Sequence, residues 1–143
     1  MKKIFAAAAL ALPLTVMAKP IAEFTVPAEQ SMSQRAVTVK LELSPDNEIL
    51  KTTNEGYKEV TPCASFAKRA LNHSRSTSNV VEIVESQPSF APILKTMTDA
   101  LNADRLAMEA CQKTKTPAPV AEYNRAKREI AAVEKQIVAL NLK

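Results

Sequence analysis

Residues 63–111 read CASFAKRALNHSRSTSNVVEIVESQPSFAPILKTMTDALNADRLAMEAC, and they begin and end on Cys63 and Cys111, the two cysteines of the chain. The midpoint between them is residue 87, inside the turn signal Ser86–Ser89 around Pro88. Each arm from that turn to its cysteine is 24 residues. At about 1.5 Å per residue, a wholly helical arm runs roughly 36 Å. Folded antiparallel, two equal arms bring their open ends together, and a disulfide needs Cα atoms within roughly 7 Å. The spacing therefore predicts a helical hairpin tied across its open end by Cys63–Cys111.

The arms carry the expected periodicity. Cys63, Phe66, Ala67, Ala70 and Leu71 recur at helical spacing, with Thr61 as the expected cap and Pro62 at the first helical position. In the second arm Leu94, Met97, Leu101, Asp104, Met108 and Cys111 are spaced 3, 4, 3, 4, 3, with Asp104 as the polar intruder. The weak part is NHSRSTSN (Asn72–Asn79), whose hydroxyl and amide side chains compete with a helical backbone. A break is expected near Ser74–Asn79, with Asn79 and Glu82 resembling a capping box that restarts the helix. Residues 74–86 are open between helix and strand, because VVEIVE is β-branched.

Beyond the second cysteine, TKTPAP (Thr114–Pro119) separates a third helix. Tyr123, Ala126, Ile130, Val133, Ile137 and Leu140 form its narrow apolar seam, flanked by charges as in a bundle or coiled coil. Residues 19–61 differ. AVTVKLELS (Ala36–Ser44) alternates with period two, a half-buried strand, and IAEFTV (Ile21–Val26) is its expected partner. SPDNE and Asn54–Gly56 are turn signals, and a short strand is expected at Tyr57–Val60. The fold class is α+β, mainly α: a disulfide-tied antiparallel hairpin plus a third helix over 62–143, preceded by a short β element over 19–61.

The first 18 residues, MKKIFAAAALALPLTVMA, have a basic start, an apolar run of about 11 residues and small residues before Ala18. That run is shorter than the roughly 20 residues a spanning helix needs. It reads as a secretory signal cut after Ala18, and its lysine-alanine character places the protein in a bacterial periplasm. Two cysteines in an exported chain imply one bond rather than free thiols. With Lys2 and Lys3 removed, 17 basic residues face 15 acidic ones, and they are scattered, which gives no nucleic-acid footprint. The chain has one glycine, so alanine and aliphatic side chains must build the core through helix packing. No stable membrane insertion is expected after signal removal.

Chemistry is sparse. His73 is the one histidine, and it reads as a solvated surface residue. One His and two paired Cys are too few for a zinc site, and no phosphate-cradling glycine loop is present. Met97 and Met108 lie on the inner stripe, where core packing explains them better than haem ligation. Asp99, Asp104 and Glu109 share one helix, and surface charge accounts for them. Asp104 must find a partner on its seam, and Arg125, Lys127 or Arg128 of the last helix are the expected ones. The basic run at 125–128 is bracketed by Glu122 and Glu129, which argues against a lipid-facing helix.

No catalytic residue, metal or cofactor is assigned. The expected function is that of a small, non-enzymatic envelope protein acting through protein–protein contacts, as an accessory, inhibitor or secretion-apparatus component. Its partner is an envelope protein that the sequence does not identify. Val37, Val39, Asp104, Arg125, Lys127 and Arg128 are candidate contacts, the first two because a one- or two-stranded element leaves an edge to complete. The alternative is a bundle that binds a small apolar ligand or cofactor between its helices.

Overall fold

The structure, a computed structural model, describes residues 18–140. The expected signal over 1–18 lies outside the described residues, apart from Ala18. The fold is mixed α/β and mainly helical: a four-stranded sheet followed by three helices. The strands are β1 (Lys19–Val26), β2 (Val37–Leu43), β3 (Glu48–Thr53) and β4 (Lys58–Pro62), paired antiparallel in the order β1-β2-β3-β4. The helices are α1 (Cys63–Ser86), α2 (Ala91–Gln112) and α3 (Val120–Ala139).

The sheet corrects the expectation of a one- or two-stranded element. β1 pairs with β2 as expected, Phe24 opposite Val39 and Val26 opposite Val37. A register shift between Pro20 and Ala22 lets both Ile21 and Ala22 pack against the core. The segment EILKTT was not expected as a strand. Its inward face runs Ile49, Lys51, Thr53, since these residues pair with Leu43, Leu41 and Val39. Two of those three positions are polar, so the usual apolar-in alternation is lost. Its outward face carries Leu50 and Thr52 instead.

Both tight connections use one turn design. Ser44 donates its N–H to the Glu48 carbonyl at 2.8 Å, and Asn47 takes φ +59°. Thr53 donates to the Tyr57 carbonyl at 3.0 Å, and Gly56 takes φ +91°. A three-residue loop ending in a left-handed residue is a common hairpin connection, which is why Asn and Gly stand at those two places. The Ser44 and Thr53 hydroxyls each accept two backbone N–H bonds within their turn, at 3.2–3.3 Å.

Strand passes to helix without a spacer. β4 includes Thr61 and Pro62, so Pro62 rather than Thr61 is the cap, and α1 starts at Cys63. No side chain caps that end; the Cys63 N–H donates instead to the Asn47 carbonyl at 3.0 Å. The β2–β3 turn thereby satisfies one orphan donor of the helix and fixes the sheet to it.

The hairpin is as the sequence spacing implies. α1 has 24 residues and α2 has 22, joined by Gln87 and a short 3₁₀ turn at Pro88–Phe90. Cys63 and Cys111 form the disulfide, with Cα atoms 5.1 Å apart. The expected break at Ser74–Asn79 is absent: α1 is continuous, and 80–86 is helix rather than strand. The reason is local. Ser74 donates its hydroxyl to the Leu71 carbonyl at 2.7 Å, and Thr77 donates to the His73 carbonyl at 2.9 Å. Hydroxyls turned back on their own helix no longer compete with it. Both residues are buried, and the small Ser74 side chain faces a neighbouring helix.

That neighbour is α3, which packs chiefly along α1 and less on α2. The sheet rests on the hairpin, mainly through β1 against α2. One hydrophobic cluster joins Leu41 and Ile49 of the sheet to Phe66, Ala70, Leu101, Met108, Ile130, Val133 and the disulfide. A smaller cluster at the hairpin tip gathers Val81, Val84 and Leu94. Alanine lines much of the contact: Ala67, Ala70, Ala103, Ala107 and Ala126 are all buried. No described helix is long and apolar enough to cross a membrane.

Candidate functional site

The polar inner face of β3 and β4 creates the densest group of titratable side chains. Lys51 of β3 stands opposite Glu59 of β4, and both point toward the helices. Arg69 and His73 reach the same place from successive turns of α1, and Ala100 and Asp104 from successive turns of α2. Phe24, Leu41, Ile49, Thr61 and Phe66 complete the walls of this crevice.

Two ion pairs organise it. Arg69 pairs with Glu59, tying α1 to the sheet. His73 Nδ1 lies 2.5 Å from Asp104 Oδ2, tying α1 to α2. The Asp104 side chain is 8% exposed and that of His73 36%. Asp104 is thus held by His73, not by Arg125, Lys127 or Arg128, and His73 is not the solvated residue expected. The reason is topological. α3 lies along α1, so its basic residues face outward, whereas Asp104 faces the sheet. Arg125 bonds Glu129 on its own helix at 3.3 Å, and the Lys127 ammonium sits 5.1 Å from the Tyr123 ring centre. Arg128 is exposed.

The exposed Tyr57 donates its hydroxyl to Glu59 Oε2 at 2.9 Å. That bond, with the negative charge of Glu59, raises the Tyr57 phenol above its ordinary value. For Glu59, burial acts to raise the carboxyl, but the Tyr57 bond and the charges of Arg69 and Lys51 outweigh it and hold the group low.

An imidazole oriented by a buried carboxylate is an arrangement that supports proton transfer. The crevice itself leaves about 30 Å³, room for a water or two. The geometry makes the cluster a polar lock that joins sheet, α1 and α2. The other carboxylates on α2 are not brought to it: Asp99 pairs with Lys95 at 3.2 Å, and Glu109 is exposed. Among the described residues no group of three or more His, Cys, Asp or Glu side chains is placed to hold a metal ion.

Of the strand residues expected as contacts, Val39 is 4% exposed and belongs to the core, so it is not presented to a partner. Val37 is half-buried at the start of β2. Large apolar side chains are exposed elsewhere, notably Met32 on the β1–β2 connection and Val120 and Val138 on α3. Wider openings lie on the surface, and two of them border α2. One, between α2 and the end of α3, is lined by Ala91, Pro92, Leu94, Thr98 and Ile137 among others. The other lies between the β2–β3 turn and the end of α2 and holds Lys19, Lys113 and Lys115. The lysines were not singled out from the sequence, because Lys19 is more than 90 residues from the others.

The fold and its lock define a class by architecture alone: a mainly helical α/β domain whose hairpin is closed by one disulfide and roofed by an antiparallel meander. The chain matches no protein family, no curated protein and no solved structure in three separate comparisons.

Proposed function

We propose that this is a small exported envelope protein, periplasmic after loss of residues 1–18, that works without catalysis through contact with another protein. The single observation that carries the reading is the narrowness of the crevice: the histidine and the acidic side chains best placed for chemistry are committed to holding the fold. The Cys63–Cys111 bond supports an oxidising compartment, since cytosolic thiols are kept reduced. Contact surface is available on the outer face of the sheet, at the β1 and β4 edges, and on the outer face of α3.

The test is in-cell photo-crosslinking from the sheet (Thr38) and from α3 (Lys127, Val138), followed by mass spectrometry. A discrete cross-linked protein from either face supports the proposal. No cross-link, together with a native mass exceeding that of the chain by a small molecule, would favour the alternative of an apolar ligand held between the helices.

A further inference from the structure

We infer that the groove between the β2–β3 turn and the C-terminal end of α2 is the docking site for an acidic segment of the partner protein. This rests on the proposed role in protein contact and names where and by what chemistry the contact is made. The groove is about 700 Å³, within the range of ligand-binding clefts. Its walls are Lys19, Leu43, Ser44, Pro45 and Asn47 on the sheet side, with Ala110, Lys113, Thr114 and Lys115 on the helix side. Three lysines line it and no Asp or Glu does. Asp46 is on the same turn and Glu109 is one helical turn before Lys113, but neither belongs to the walls.

The ordinary explanation for lysine at a helix C-terminus is complementation of the helix dipole. It accounts for Lys113 and Lys115. It does not account for Lys19, which comes from the far side of the groove on β1, or for the open space between them. Two of the last carbonyls of α2 are met without any lysine ammonium: Ala110 and Cys111 accept the backbone N–H groups of Lys113 and Thr114 at 3.2 and 3.1 Å, and the Thr114 hydroxyl donates to the Cys111 carbonyl at 2.7 Å. None of the three lysines forms an ion pair among the described residues. Cleavage after Ala18 would place the α-ammonium of Lys19 on the same rim as a fourth positive charge. The floor is rigid, because the disulfide and the Cys63 N–H to Asn47 carbonyl bond pin both walls to one point. A chain carrying Asp and Glu matches an open groove bordered by lysines better than a compact anion, which needs convergent donors in a closed cradle.

Fluorescein-labelled hexaglutamate, titrated with purified protein at low ionic strength and read by anisotropy, tests the inference. Lys113→Gln/Lys115→Gln is expected to weaken binding about five- to tenfold, whereas Lys68→Gln/Lys135→Gln, with the same net charge change elsewhere, alters it by no more than about twofold. Lys113→Glu/Lys115→Glu is expected to abolish hexaglutamate binding and to bind hexalysine instead. All four lysines are exposed, so the variants should keep the wild-type circular dichroism. Equal loss in both Gln pairs, no hexaglutamate binding, or groove-dependent binding of inorganic phosphate or phosphatidylglycerol vesicles in place of the peptide would overturn the site. In-cell cross-links that persist in the Lys113→Glu/Lys115→Glu protein would overturn it too, while leaving the contact function standing.

Discussion

Replacing both cysteines by alanine tests how much the closure of the hairpin contributes. The bond spans 48 residues, and in the chain-entropy treatment a loop of that size stabilises the fold by roughly 4 kcal/mol. Domains of this size have about 5–15 kcal/mol in total, so the loss is a large share. At roughly 4 °C per kcal/mol, Cys63→Ala/Cys111→Ala should melt about 15 °C below the wild type. Both sulfurs are buried beside Ala107 and Met108, so a small packing loss adds to the entropic one. Thermal unfolding followed at 222 nm gives the first number. Urea unfolding gives a second, independent sign: without the cross-link the unfolded chain expands, so the m value should rise. A melting point within a few degrees of wild type, with m unchanged, would refute the reasoning, because the unfolded ensemble would then not be constrained by the bond.

Three further outcomes follow from the lock and from the α1–α3 contact. His73→Ala strands the Asp104 carboxylate in a nearly closed site and should cost roughly 2 kcal/mol in urea unfolding, whereas Asp104→Asn keeps a hydrogen bond to the ring and should cost about 1. Ser74→Leu inserts a branched side chain into a fully buried position facing α3 and should cost about 2 kcal/mol by calorimetry, while Ser74→Ala stays under about 1. Ultraviolet titration of the two tyrosines should show Tyr57 ionising above the ordinary phenol range, and Glu59→Gln should return it toward that range. The sign is fixed by the neutral phenol being favoured in the fold: its contribution is complete below the unfolded phenol value and disappears as pH rises through the folded one. Glu59 acts in the other direction, its contribution being present above the ordinary carboxylate value and lost as pH falls through the lowered one.

The hairpin was legible because two independent patterns agreed: the 3-4 spacing along each arm and the equal distance from each cysteine to Pro88. α3 was legible from its seam, of which Ala126, Ile130 and Val133 are buried and Tyr123 and Ile137 partly so. Two features were hidden, for different reasons. Ser74 and Thr77 looked like helix breakers because single-residue preference does not register a hydroxyl turned back to its own carbonyls and covered by another helix. The strand EILKTT was obscured because Lys51 and Thr53 face inward, where a lock of charges replaces the apolar core. The turn signals on both sides, SPDN and NEG, were the cue that could have recovered it. The same inversion concealed the His73–Asp104 pair. Asp104 was recognisable as a polar residue on a buried seam; that its partner is His73 across the hairpin, and not a base of α3, follows from α3 lying along α1 with its basic residues facing outward, a packing that no local pattern encodes.

The direct test of the architecture is the state of the sulfurs in protein purified without exposure to any reductant. Alkylation under denaturing conditions before any reduction, followed by intact mass and a non-reduced peptide map, is predicted to show no adduct and one peptide pair linked through Cys63 and Cys111. Two alkyl groups per chain would contradict the closed hairpin on which the sheet, the lock and the groove are all assembled.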